Sequence, residues 1–198
     1  IFSGNKVDDD GVIVQNAIYA DRGGIFSKEP VITLEAKNYG QIIFDDQIDG
    51  NAKGYQLHLK GDKTSEISFN NSIKNAHITL EETNVNVRDG VYISDNKSLD
   101  VKSGILNIAN MNSTAINYEK FTVNGSININ SVDVDLANNS MGHFSADEYG
   151  ESNGNIDVKG VNLISDSHDS ATKVLFADSS YADTVTYSGA SHAYSTIY

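Results

Sequence analysis

The chain has no cysteine, no tryptophan, one proline and two arginines. Without cysteine there is no disulfide framework, no thiolate metal site and no cysteine nucleophile. With Arg22 and Arg88 as the only arginines, a bidentate clamp on a carboxylate or phosphate has few possible sources. No run of about 18 apolar residues occurs, which excludes a membrane-spanning helix. Basic charge is also scarce: 27 acidic against 14 basic side chains give a net charge of −13. That balance works against nucleic-acid backbones and anionic membrane surfaces as partners. Proline-rich, glycine/serine-rich and like-charge runs are missing too, so residues 1–198 read as one elongated domain without a linker. The chain opens at Ile1 with no basic-then-apolar leader, the pattern of a mature or excised piece of a longer protein.

What the chain does contain is period-two alternation. In GSININSVDVDLANN, Gly125 to Asn139, Ile127 and Ile129 share one strand face and Asn128 takes the other. Asn130 and Ser131 break the count, after which Val132, Val134 and Leu136 resume the inward parity while Asp133 and Asp135 point away. Upstream, Phe121 and Val123 lead into Asn124-Gly125, ordinarily a hairpin signal. A two-residue hairpin there would set Phe121 opposite Asn128 and turn Ile127 and Ile129 to the wrong side, a conflict that register rules penalise. A corner that bends the chain without reversing it avoids the conflict, as does a three-residue hairpin loop.

Similar short runs recur along the chain: VITLEA from Val31, QIIF from Gln41, YQLHLKG from Tyr55, EISF from Glu66, HITL from His77, VNV from Val85, LDV from Leu99 and LNI after Ile105. They continue with AINY from Ala115, a separate start at Phe121, IDV from Ile156, NLI after Val161, KVLF from Lys173 and VTY after Thr184. Asn, Asp, Ser and Gly fill the connections, and paired steps give a coil of roughly 20 to 24 residues, within the solenoid range. The spacing predicts an all-β chain, a parallel β-helix (β-solenoid) in preference to an antiparallel β-sandwich. Helical signal is confined to Val14–Asp21 and Ser170–Tyr181.

Phe2-Ser3-Gly4-Asn5 matches the FxxN motif, and Gly23-Gly24-Ile25-Phe26 approximates the GGAI-type motif, of polymorphic outer-membrane autotransporters. GQIIFDDQIDG, then YQLHLKGDKTSEISFNNSIKNAHITLEETNVNV, then SININSVDVDLANNSMGHFSADEY, resembles the passenger region of bacterial autotransporter-like surface proteins over roughly residues 40 to 165. The resemblance implies a right-handed β-helix exported across two membranes and displayed on the cell, ahead of a C-terminal outer-membrane barrel that this segment does not contain. Lack of cysteine suits a passenger that crosses the outer membrane largely unfolded. No serine-protease or lipase passenger motif is present.

Several residues have chemistry to offer. Asp8, Asp9 and Asp10, the pair Asp45-Asp46, and Asp166 with Asp169 present hard oxygen ligands, without the spacing of a dedicated calcium loop; they read as solvated corners. His58 and His77, outward and 19 residues apart, near one coil length, could stack on one face, although surface imidazoles are the plainer reading. His143, His168 and His192 have no visible partner. Tyr181, Tyr187, Tyr194 and Tyr198 offer flat rings for sugar stacking or, more simply, cover for a terminal coil. Outward Asp133, Asp135 and Asp157 could line one face as the carboxylates of a carbohydrate-active enzyme, but a lyase also needs a base and a counter-charge to the uronate, for which two arginines give few options.

The expected function is a structural stalk or adhesin-type display scaffold, extracellular and attached to the cell surface. It takes no catalytic, cofactor or metal residue, and host or environmental glycans or proteins are its possible partners. The alternatives are a β-helical polysaccharide lyase or hydrolase and a non-catalytic glycan-binding module.

Overall fold

The computed structural model describes residues 6–7, 13–14, 16–20, 28–135, 137–138, 140–165 and 185–187. The chain is a parallel β-solenoid with three faces. Face one stacks seven strands in chain order: Gln41–Phe44, Glu66–Phe69, Asn84–Asp89, Ile105–Asn110, Ser126–Ile129, Asn155–Val158 and Val185–Tyr187. Face two stacks six: Val31–Ala36, Tyr55–Gly61, Ala76–Glu81, Ser98–Val101, Ala115–Val123 and His143–Tyr149. Every pairing within these two sheets is parallel. With strands about 4.8 Å apart, face one spans about 29 Å along the axis.

Face three is thinner. Asn16–Ala20 lies on Gln47–Gly50, single bridges join Ile48 to Ile73 and Met111 to Val132, and Val132–Asp135 lies on Val161–Ser165. Between the bridges, Ile73 N donates to Tyr92 O at 2.7 Å. Two short antiparallel pairs complete the described strands: Lys6–Val7 with Ile13–Val14, and Ser140–Met141 against Val134–Asp135.

Alternating parity sends one side chain in two to the interior, where in-register stacking builds columns of like residues. On face one Ile42, Ile67, Val85, Leu106, Ile127 and Ile156 form one column, with Phe44, Phe69, Val87, Ile108, Ile129 and Val158 beside it. Phe44 and Phe69 stack at 5.3 Å between ring centroids, and Phe121 and Phe144 on face two at 4.8 Å. Such contacts add about 0.5–1.5 kcal/mol beyond the area they bury. Two buried polar groups are held by the backbone: Asn96 accepts from Ala76 N and donates to Ile73 O and Ile93 O, and Tyr118 Oη donates to Ile93 O. Burial pushes the Tyr118 phenol well above its usual range.

Asn124-Gly125 is a corner between faces, not a hairpin. Asn124 N and Gly125 N both donate to Val101 O, at 2.7 and 2.9 Å, and the chain passes from face two to face one without reversing. The corner is tight: a Cβ at Gly125 would lie 2.7 Å from Gly104 O, and one at Gly154 would meet Gly125 O still more closely. In-register offsets are 21 residues from Asn86 to Asn107 and from Asn107 to Asn128, 18 from Ser65 to Thr83, and 29 from Ser126 to Asn155. The expected coil of 20 to 24 residues thus holds in the middle of the stack, while other coils tighten or grow at their corners.

Two local expectations change. Val14–Asp21 carries no helix over its described residues; Asn16–Ala20 is a strand, because pairing with Gln47–Gly50 outweighs local preference. The starts at Ala115 and Phe121 fuse into one strand, whose parity slips where Glu119 and Lys120 both face solvent and Glu119 N donates to Lys97 O. Ser170–Tyr181 lies outside the described residues.

Val134 is 3% exposed, whereas Asp133 points outward and accepts from Asn110 Nδ2 at 3.2 Å and Asn162 Nδ2 at 2.9 Å. Val134→Asp is therefore expected to cost about 3 kcal/mol or more in a urea melt. Asp133→Val, which loses a bridge across three coils, should cost about 1 kcal/mol. Hydrogen exchange should show the Val134→Asp damage around residues 111–163 with protection retained at 55–80. Uniform loss along the stack would contradict a nearest-neighbour solenoid.

Candidate functional site

Outside the core, stacking in register lays equivalent side chains in rows, and the two main faces use them differently. Face two is a charge lattice. Glu35, Lys60 and Glu81 follow one another in register, and Glu81 bonds both Lys60 (2.9 Å) and Lys102 (3.0 Å). Those two hydrogen bonds hold the Glu81 carboxyl below its ordinary value. Lys97 pairs with Glu119 at 3.1 Å and Lys120 with Glu148. Surface pairs of this kind each contribute little, roughly 0–1 kcal/mol, but they leave this face without free cations at those positions.

A second row of face two runs Thr33, His58, Thr79, Asp100, Thr122. His58 stacks on Thr79, whereas His77 stacks on Gln56 and Ser98, so a coil of 21 residues rather than 19 puts the two imidazoles on a diagonal. His77 Nδ1 lies 3.0 Å from Ser98 Oγ and its Nε2 3.5 Å from Glu29 Oε1. Asp100 Oδ1 is buried without a hydrogen-bond partner. Desolvation raises the Asp100 pKa, with Lys102 acting against the shift.

Face one carries amides instead. Ser68, Asn86, Asn107, Asn128 and Asp157 occupy successive outward positions in register. Asn107 Nδ2 donates to Asn86 Oδ1 at 2.9 Å, and Asn128 Nδ2 donates to Asn107 Oδ1 at 3.0 Å. Beside this ladder runs an exposed row that includes Arg88, Ala109, Asn130 and Lys159. Together they line an open groove of about 460 Å³, with the half-buried amides Asn86, Asn107 and Asn128 along it and exposed Arg88, Ala109 and Lys159 at its side. The sequence carries the signal in NVNV, LNI and SINI, whose asparagines recur every 21 residues; reading the strands for inward residues passes over it.

The other candidates disperse. Asp133 and Asp135 sit on face three and Asp157 on face one, so they do not line one face. Asp45 Oδ1 accepts from Asn70 Nδ2 at 2.8 Å, and Asp46 shares its corner between Phe44 and Gln47. His143 Nδ1 lies 2.8 Å from Met141 O. Tyr187 ends the last face-one strand. Asp8, Asp9, Asp10, Asp166, Asp169, His168, His192, Tyr181, Tyr194 and Tyr198 lie outside the described residues. Among the described residues no three His, Asp or Glu side chains gather as a metal would require, and no helix is long and apolar enough to cross a membrane.

No protein-family model, curated protein or solved structure matches the chain. The parallel β-solenoid defines its class.

The Asp100 environment generates a pH test. Its folded pKa lies above the ordinary 3.8, so between those two values the folded state binds more protons and stability falls as pH rises. Asp100→Asn should raise the urea midpoint at pH 7, and the gain over wild type should shrink as pH falls towards 3.8. A gain that does not vary with pH would contradict this account.

Proposed function

We propose that the chain is a display stalk: an extracellular, non-catalytic β-solenoid segment of an autotransporter-like surface protein, attached through a C-terminal outer-membrane barrel elsewhere in the full-length chain. The observation that carries the reading is the repetitive exterior. Outward charges pair from coil to coil on face two and outward amides chain from coil to coil on face one, which suits a rod whose sides present the same chemistry along its length. Support also comes from the resemblance over residues 40 to 165 and from the lack of cysteine. The carboxylates Asp133, Asp135 and Asp157, which an enzyme would need together, occupy different faces.

A glycan-binding module is the second reading, favoured by the open amide groove. Both readings assign host or environmental glycans or proteins as partners, and neither uses nucleic acid or membrane insertion by this segment.

The stalk reading is tested in cells making the full-length protein, with an antibody to this segment. Labelling of intact cells, lost after brief external protease treatment, is the expected result. Labelling that appears only after lysis would overturn it, and release of new reducing ends from a polysaccharide by the purified chain would overturn its non-catalytic part.

A further inference from the structure

We propose that the face-one groove binds an acidic polysaccharide laid along the solenoid axis, with hydroxyls on the Asn86–Asn107–Asn128 ladder and anionic groups at Arg88 and Lys159. The inference deepens the glycan-binding reading and rests on it.

The ladder leaves half of its hydrogen-bonding capacity unused. An asparagine amide has two N–H donors and two acceptor lone pairs. Asn107 spends one donor on Asn86 and one acceptor site on Asn128, so one of each remains. The row repeats with the strands, about 4.8 Å apart, close to the advance of one sugar unit along an extended chain. A sugar's adjacent hydroxyls, each donor and acceptor, match an amide repeated at that interval.

Charge then selects among glycans. Lys37, Lys60, Lys97, Lys102 and Lys120 are paired with glutamates on or beside face two. Arg88 and Lys159 make no ion pair among the described residues and are exposed on the groove's margin. They stand three strands apart, about 14 Å, with Ala109 between them leaving a notch where a longer side chain would fill the groove. Two carboxylates face the same side: Glu66, engaged by Ser68 Oγ at 2.8 Å, and Asp157 at the end of the amide row. The net charge of −13 opposes an anionic ligand at long range, but a Debye length of about 8 Å at physiological salt confines the contest to the groove.

Two other polyanions fit less well. An acidic peptide adding as a strand needs a free backbone edge, whereas the groove is walled by side chains on a sheet face. Single-stranded nucleic acid needs exposed rings for stacking, and among the described residues the groove's only aromatic side chain, Phe69, is 1% exposed.

The test is calorimetric titration of the purified chain with hexagalacturonate, its fully methyl-esterified form, digalacturonate, polyglutamate and oligouridylate. Hexagalacturonate should bind at least tenfold more tightly than the ester or the dimer. Arg88→Gln and Lys159→Gln should each weaken it at least threefold, Ala109→Tyr should abolish binding by filling the notch, and Lys74→Gln, outside the groove, should leave it unchanged. All four positions lie outside the core, so unchanged melting midpoints are expected. The proposal is overturned by no binding of the hexamer, by equal binding of the ester, by insensitivity to all three groove variants, or by equal binding of polyglutamate or oligouridylate. Failure here with intact-cell labelling preserved rejects the groove and leaves the stalk; binding without surface labelling does the reverse.

Discussion

Backbone hydrogen bonds between coils hold successive strands about 4.8 Å apart and in register, and this constraint decides what every other side chain meets. A residue on one strand has as its nearest neighbours the residues at the same height one coil before and one coil after. Leu57 therefore lies between Ile32 and Ile78, and Asn107 between Asn86 and Asn128. Like placed on like is favourable for apolar and amide side chains and unfavourable for charges, so the charged row on face two must alternate in sign, as Glu35, Lys60, Glu81 and Lys102 do.

The same constraint falls hardest on the corners. Stacking in register brings one coil's turn onto the backbone of the next, leaving little room for a Cβ at Gly104, Gly125 or Gly154. Gly104 also holds φ at +85°, a conformation that glycine adopts readily. The connections nevertheless absorb length: the path from Ser126 to Asn155 takes 29 residues without displacing either strand from register. Strands are thus fixed by their neighbours while connections vary, which accounts for a solenoid whose repeat is strong in structure and faint in sequence.

That asymmetry explains what could be read in the sequence. Inward parity was legible wherever an alternating run was long enough, and the phase slip at Asn130-Ser131 located a corner because Ile129 and Val132 both have to be buried. Face three was legible only in part: Val132–Asp135 and the run after Val161 show as strands, but over much of its height the face is represented by one residue per coil, such as Ile73 and Met111, and a single apolar residue has no period. His143–Tyr149 was missed because its outer half, Ser145 to Tyr149, is half-buried or exposed and loses the alternating contrast. The histidine pair and the carboxylate trio failed for a different reason. Spacing along the chain becomes position in space only through the coil length and the face, and an error of two residues converts a stack into a diagonal.

The two main faces show opposite uses of one geometry. On face two each described lysine on the charge rows meets a glutamate from a neighbouring coil or turn, so the lattice satisfies itself and offers a ligand little that water does not. An amide row cannot close in this way. Each asparagine is both donor and acceptor, a ladder along the axis uses one of each, and the remaining pair points off the sheet whatever the number of coils. Repetition that neutralises charge on one side therefore preserves hydrogen-bonding capacity on the other, and a chain of net charge −13 keeps beside that capacity two cations that are unpaired among the described residues. The rod is consequently chemically two-sided, and the recognition proposed above falls on the face where stacking leaves valence over.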